Sequence, residues 1–288
     1  MTGAPLETFT VESSATRYVT VRHGAASSAG LVRGSDVVLL AAPDAGAAVA
    51  SAAAGVVIAE GPSVPFDSVE LLPVVPRPSK VFCVGLNYAE HIREMGRELP
   101  GHPTLFAKFT EALIGPADDI VLPPESVQVD WEAELCVVIG SKVRRATPAQ
   151  ARAAIGGYTV LNDVTVRDWQ YRTLQWLQGK TFESTTPVGP WIVPRDEVDV
   201  EGGVEIRCEV NGEVVQRAST DDLVFGPVAL VEYISTIVTL HPGDLISTGT
   251  PAGVGHAMDP PRFLSDGDVV RTVIEGIGAL ENVARRES

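Results

Sequence analysis

The stretch Asp130-Trp131-Glu132-Ala133-Glu134-Leu135-Cys136-Val137-Val138-Ile139-Gly140 ends as a buried β-strand, β-branched and apolar up to a closing glycine. It opens, however, with three acids at alternate positions. Alternate side chains of a strand share a face, so Asp130, Glu132 and Glu134 are expected on one side and Trp131, Ala133 and Leu135 on the other. Glu132 and Glu134 then lie roughly 6.6 Å apart along the strand, close enough for both carboxylates to converge on one cation. Two carboxylates leading into an apolar strand repel each other and are costly to desolvate unless positive charge sits between them. A hard divalent metal meets that need. The alternative is a solvent-facing acidic edge.

Around this stretch, 288 residues suit one large domain, or a principal domain with a small appendage. With 45% hydrophobic residues but only 6% aromatic, the core is expected to be aliphatic. A net charge of −15 repels phosphate backbones and argues against nucleic acid as a partner. It does not repel a small anionic substrate if a local metal and lysine outweigh it. Cys83, Cys136 and Cys208 form no CxxC and cannot all pair, so a reduced, cytoplasmic compartment is expected. There is no charged-then-apolar leader, and the longest apolar stretch, residues 45–59, is too short to span a bilayer. The expectation is a soluble protein with no membrane partner.

Residues 17–22 and 37–40 read as short strands, and the Ala-rich segment from Ala45 as a short helix. The proline-punctuated residues 72–78 mark a boundary, giving a small accessory α/β domain at 1–72 and a principal domain at 73–288. The strand at 80–85 leads into Leu86-Asn87-Tyr88-Ala89-Glu90-His91-Ile92-Arg93-Glu94-Met95-Gly96. There Asn87 is the expected helix N-cap, Glu90 completes a capping box and Gly96 ends the helix. His91 and Glu94, three residues apart, share a face, and a carboxylate beside an imidazole suits it to general-base work. An exposed surface pair is the alternative. A short glycine-terminated helix before residues 99–103 can also move as a lid.

Residues 105–109 form another strand, 148–154 a helix, and 156–163 a strand ending in Asp163, the natural third ligand. Three carboxylates leave about three positions of a six-coordinate ion for water or substrate oxygens; a turn or cap role is the alternative. Gly179-Lys180-Thr181 has the form of a P-loop tail, but Leu174 stands where the first glycine belongs, which excludes nucleotide binding. Only four of the 22 basic residues are lysines (Lys80, Lys108, Lys142 and Lys180), so Lys180 reads as a point charge, against a solvated amine. Asn211-Gly212 marks a tight hairpin and residues 227–237 a helix. Residues 241–255 read as a turn, a strand and a glycine-rich loop able to offer backbone N–H groups to an anion, or simply a tight turn. Gly267 and Gly276 to Gly278 punctuate closing strands, and no internal repeat is evident.

In order and spacing these stretches resemble the fumarylacetoacetate hydrolase family, over roughly residues 80–283. The resemblance rests on Gly85-Leu86-Asn87-Tyr88 with His91 and Glu94, Glu132-Ala133-Glu134, Asn162-Asp163, Arg167-Asp168 with Gln170, and Gly179-Lys180-Thr181-Phe182. Pro187-Val188-Gly189-Pro190 and Thr248-Gly249-Thr250-Pro251-Ala252-Gly253-Val254-Gly255 complete it. It implies an α+β, β-rich fold, a mixed β-sandwich roll, in a homodimer, with Mg²⁺, Mn²⁺ or Ca²⁺ bound. By motif, Glu132, Glu134 and Asp163 match metal ligands, and His91 and Glu94 a water-activating dyad on a lid helix. Lys180 and Gln170 match substrate-facing positions, and Thr250 with Gly249 and their loop a carboxylate-contacting one.

The implied chemistry is metal–enolate chemistry on a small 2-oxo or diketo acid, with Lys180 adding positive charge at the enolate oxygen. Hydrolysis of a C–C bond in an acylpyruvate-like 2,4-diketo acid is the first expectation, His91 taking a proton from water. No G-x-S-x-G nucleophile elbow is present. The same core also serves oxaloacetate tautomerisation or decarboxylation and isomerisation of diacids from aromatic ring cleavage. Val129-Asp130-Trp131-Glu132, Arg167-Asp168-Trp169-Gln170 and Pro260-Pro261 are most similar to members associated with oxaloacetate tautomerisation. A metal-binding scaffold without turnover is the reading from another class.

Overall fold

The acidic stretch is two strands, not one. Val129–Asp130 pairs with Thr165–Val166, Trp131 and Glu132 break the run, and Ala133–Ile139 begins a separate, fully buried strand. The alternation expected from Asp130 onward therefore fails at the break. Asp130 does not join Glu132 and Glu134 in one carboxylate cluster; its oxygens accept the backbone N–H groups of Trp131, Gly255 and His256. The structure, a computed structural model, describes residues 5–10, 14–94, 96 and 98–287, and of His91 and Glu94 the backbone alone.

Ala133–Ile139 lies inside a large mixed sheet. From one edge its strands run Glu60–Pro65, Asp36–Leu40, Ala26–Arg33, Tyr18–His23, Thr186–Pro194, Ile155–Asn162, Ala133–Ile139, Leu245–Ser247, Val81–Gly85 and Thr104–Lys108. Most neighbours are antiparallel, whereas Leu245–Ser247 runs parallel to Val81–Gly85. A smaller sheet of Glu213–Ser219, Glu205–Val210, Val269–Ile274, Gly278–Arg286 and Ile120–Leu122 packs against one face. Leu135, Val137 and Val160 of the large sheet share a core with Ile206, Val210, Ile274 and Leu280 of the small one. Cys136, Val138 and Leu161 point the other way, into a second core with Val49 of the helix Ala45–Ala53. Burial on both faces is why residues 135–139 are continuously apolar. The fold is α+β and strand-rich, as expected.

Residues 18–65 extend the large sheet through a pairing of Tyr18 with Ile192, and Val74 and Val75 of the proline-rich connector are buried in the second core. The hairpin turn has positive φ at both Asn211 and Gly212 (53° and 79°), the geometry that matches the twist of the flanking strands. The three cysteines are free and buried. Among the described residues no helix is long and apolar enough to cross a membrane.

The helix after the first motif spans Ala89–Glu94, and Gly96, at φ 68°, donates to Arg93 O at its end. The expected cap is replaced. The Asn87 side chain instead donates to Thr248 O (2.7 Å) and Phe225 O (3.0 Å) and accepts from Phe225 N (2.9 Å). Asp222, distant in sequence, accepts the helix N–H of Glu90 at 3.0 Å.

Candidate active site

Antiparallel pairing of Ala133–Ile139 with Ile155–Asn162 sets Ala133 opposite Asn162, so the acids flanking that pair meet. Asp163 N donates to Glu132 O at 2.9 Å and Glu132 N to the Asn162 side chain at 3.0 Å. Glu132, Glu134 and Asp163, all buried, each bring one carboxylate oxygen within 4.8 Å of the others.

Three buried cations answer these charges. Lys180 Nζ bridges Glu132 (2.7 Å) and Asp163 (2.8 Å). Lys108 Nζ takes the other Asp163 oxygen at 2.5 Å and the Val164 carbonyl at 3.1 Å. Arg167 binds Asp130 through Nε and Glu132 through Nη1, both at 2.7 Å, and donates to Gln170 Oε1 at 3.0 Å. Glu134 has no ion-pair partner among the described residues: Ser247 Oγ (2.5 Å) and Gly249 N (2.8 Å) donate to its Oε2.

The electrostatics follow from that distribution. Burial, then the charges of Asp163 and Glu132, hold the Glu134 carboxyl well above the usual carboxylate range. Burial would also raise Asp163, but Lys108 and Lys180 outweigh it and leave it below that range. Burial pulls Lys180 down, and the charges of Asp163 and Glu132 more than restore it. Three oxygen donors without sulfur or imidazole fit a hard divalent ion such as Mg²⁺, Mn²⁺ or Ca²⁺, whose charge would draw Glu134 into its ionised form.

Gly179 places Lys180. A Cβ there would lie 2.3 Å from Gln170 N and 2.5 Å from Gln170 Cα, so only glycine lets the turn Leu177–Lys180 press against Arg167–Gln170. Thr250 Oγ1 accepts from Gln216 Nε2 at 2.9 Å, and Gln216 Oε1 accepts from Ala133 N, tying the glycine-rich loop to the strand Ala133–Ile139. The Gly249 N–H is committed to Glu134. Arg167 Nη2, Tyr88 OH and Trp169 Nε1 are buried polar atoms with no partner among the described residues. His91 and Glu94 lie on the Ala89–Glu94 helix, with side chains outside the described residues.

Residues 80–285 match the family model described as fumarylacetoacetate (FAA) hydrolase C-terminal. This chain belongs to the fumarylacetoacetate hydrolase family. A mitochondrial oxaloacetate tautomerase of Rattus norvegicus is 46% identical over 225 residues, 78% of this chain and 72% of that protein. Its counterpart in Homo sapiens is 45% identical over 239 residues, covering 82% and 76%. Among solved structures, a 2-hydroxyhepta-2,4-diene-1,7-dioate isomerase from Mycobacterium marinum superposes with a TM-score of 0.80 at 36% identity, over 95% of this chain and 99% of that one. A fumarylacetoacetate hydrolase from Exiguobacterium antarcticum gives 0.84 at 34%, over 94% and 100%.

For this family member the structure brings together Glu132, Glu134, Asp163, Lys180 and Gln170, with Gly249 and Thr250 on the loop behind Glu134. It adds residues to which the sequence assigns no role in the site: Lys108, within the strand expected at 105–109, Ser247, and Gln216 of the hairpin. Lysine scarcity, the signal that marked Lys180, would have marked Lys108 too. Nothing local marks Gln216.

Proposed function

We propose that this protein interconverts the enol and keto forms of a small 2-oxo dicarboxylate of the oxaloacetate type. The observation that carries this reading is the buried Lys180 Nζ, 2.7 and 2.8 Å from two of the three clustered carboxylates. The tautomerase relatives support the same substrate class. Glu132, Glu134 and Asp163 are assigned a divalent ion, Mg²⁺ in the first instance, which when bound withdraws electrons from the 2-oxo group and lowers the cost of its enolate. Lys180 places a second positive charge at the enolate oxygen. Ketonisation also requires loss of the enol O–H proton and delivery of one to the adjacent carbon, a transfer assigned to His91 with Glu94 orienting it. Gln170, Thr250 and the Gly249 loop are assigned to holding the substrate carboxylates.

Hydrolysis of an acylpyruvate-like diketo acid is the second reading. Retention of both His91 and Glu94 on the short helix favours it, since that pair also suits water activation. In either case the proposed assembly is a homodimer, residues 1–72 are accessory, and three free buried thiols suit the reducing cytoplasm.

The test is Mg²⁺-dependent turnover of enol oxaloacetate and of acetylpyruvate by wild type, His91→Ala and Lys180→Met, with thermal unfolding as the check on folding. Enol absorbance should disappear without loss of carbon, and Lys180→Met should slow this about 10²–10³-fold. Cleavage of acetylpyruvate with oxaloacetate untouched would establish the hydrolase instead. Metal binding with no turnover in wild type would leave the scaffold.

A further inference from the structure

The charged cluster adjoins an apolar wall on its Lys180 side. The Phe106 ring centroid lies 5.0 Å from Lys180 Nζ. Trp176 stands edge-on to Phe106, centroids 5.5 Å apart at 66°. Its indole covers Gly85 so closely that a Cβ there would be 2.3 Å from Cζ3 and 2.9 Å from Cη2. Gly85 closes the strand Val81–Gly85, two residues before Asn87 and four before the helix that carries His91 and Glu94. Trp176 also sits at the N-terminus of the turn Leu177–Lys180. The indole therefore fills the space between the root of that helix and the turn that delivers Lys180.

This ring is unlike the core tryptophans. Trp131 and Trp191 are fully buried and donate their indole N–H to Gly253 O and Ile277 O. Trp176 is only part-buried, at the end of an exposed segment, residues 171–175. A large ring thus stands beside a polar cluster, with a glycine kept bare beneath it.

We propose that Trp176, seated on Gly85 and backed by Phe106, sets the length of 2-oxo acid this site accepts and confines it to short chains. The inference rests on the 2-oxo acid reading above and adds a substrate-size limit to it. A substrate chain extending from the oxo group past Lys180 and Phe106 would run toward the indole, whose ring centroid is 5.5 Å from that of Phe106. A wall of this kind discriminates by steric exclusion, where a methylene that does not fit changes affinity by about tenfold or more.

The test is a binding series read by calorimetry on the full chain with Mg²⁺ present. Oxalate, pyruvate, 2-oxobutyrate, 2-oxopentanoate and 2-oxohexanoate are titrated into wild type, Trp176→Phe and Trp176→Ala, each variant checked by thermal unfolding. Wild type should bind the short acids and lose affinity at the longer ones. Trp176→Ala should gain about tenfold for 2-oxohexanoate while oxalate and pyruvate change less than twofold, with Trp176→Phe in between. A uniform change across the series, or none, overturns the proposal. Because the series reads binding, it separates this inference from the reaction. An enzyme that leaves oxaloacetate untouched but shows the size shift sinks tautomerisation and keeps Trp176 as the gauge.

Discussion

Glu134 is where charge balance in the site is decided. Four buried carboxylates, Asp130, Glu132, Glu134 and Asp163, face three buried cations, Lys108, Arg167 and Lys180, and Glu134 is the acid with no cation at contact distance among the described residues. Its carboxyl is held above the usual range, so the folded chain keeps a proton there that the unfolded chain has already released. Its contribution to stability is complete below the ordinary carboxylate value and falls away as pH rises through the raised one. Asp163 works in the opposite sense: its contribution is present above the ordinary value and is lost as pH falls through its depressed one. In chelator, the melting temperature should therefore decline as pH rises above the ordinary carboxylate range. Glu134→Gln, which can still accept from Ser247 and Gly249, should flatten that decline. Adding Mg²⁺ should raise the wild-type melting temperature by an increment that grows with pH, because binding competes with the proton. Thermal unfolding across pH, with and without chelator, reads all three, and an identical slope in Glu134→Gln would show that Glu134 is not the titrating group.

At the scale of elements, the helix Ala89–Glu94 is too short to stand alone. Two contacts from elsewhere in the chain hold it: Asp222 caps Glu90 N, and Asn87 ties its root to Phe225 and to Thr248, the residue before Gly249. The same backbone that anchors the helix thus leads into the N–H that holds Glu134. Asp222→Ala should cost the helix about 1 kcal/mol, read as roughly fivefold faster amide exchange at residues 89–94 with a nearly unchanged melting temperature. Asn87→Ala should lower the global melting temperature instead, since it strands the buried Thr248 carbonyl and the part-buried N–H and carbonyl of Phe225. Unchanged exchange in Asp222→Ala would remove it as the cap. Asn87 looks in sequence like an ordinary N-cap, and a cap supplied from 132 residues away leaves no local trace.

For the whole molecule, the proposed homodimer can be tested at a group of exposed apolar side chains. Phe109, Leu174 and Leu177 are exposed apolar residues near the turn that carries Lys180, with Leu174 97% accessible, and Phe109 N donates to Thr181 Oγ1. Where such side chains form one patch they mark an association surface. Light scattering should give twice the chain mass for wild type and the monomer mass for Leu174→Asp, and a dimer in both would place the interface elsewhere.

The acidic triad was legible in the sequence because part of its information is local. Glu132 and Glu134 sit two residues apart at the mouth of an apolar strand and Asp163 ends the next one, so hydrophobic runs mark both strand ends, although alternation wrongly added Asp130 to the group. The strand-rich class, the Asn211-Gly212 hairpin and the metal-type acids follow from such short-range patterns. What folding alone decided is which charges meet. Lys108 lies 55 residues from Asp163, Lys180 48 residues from Glu132, and Gln216 83 residues from Ala133. Those pairings depend on sheet order and register, which place distant strand ends together. The separation of Asp130 from its neighbouring acids has the same origin: in a buried site each carboxylate goes to the cation or N–H that the packed fold brings to it.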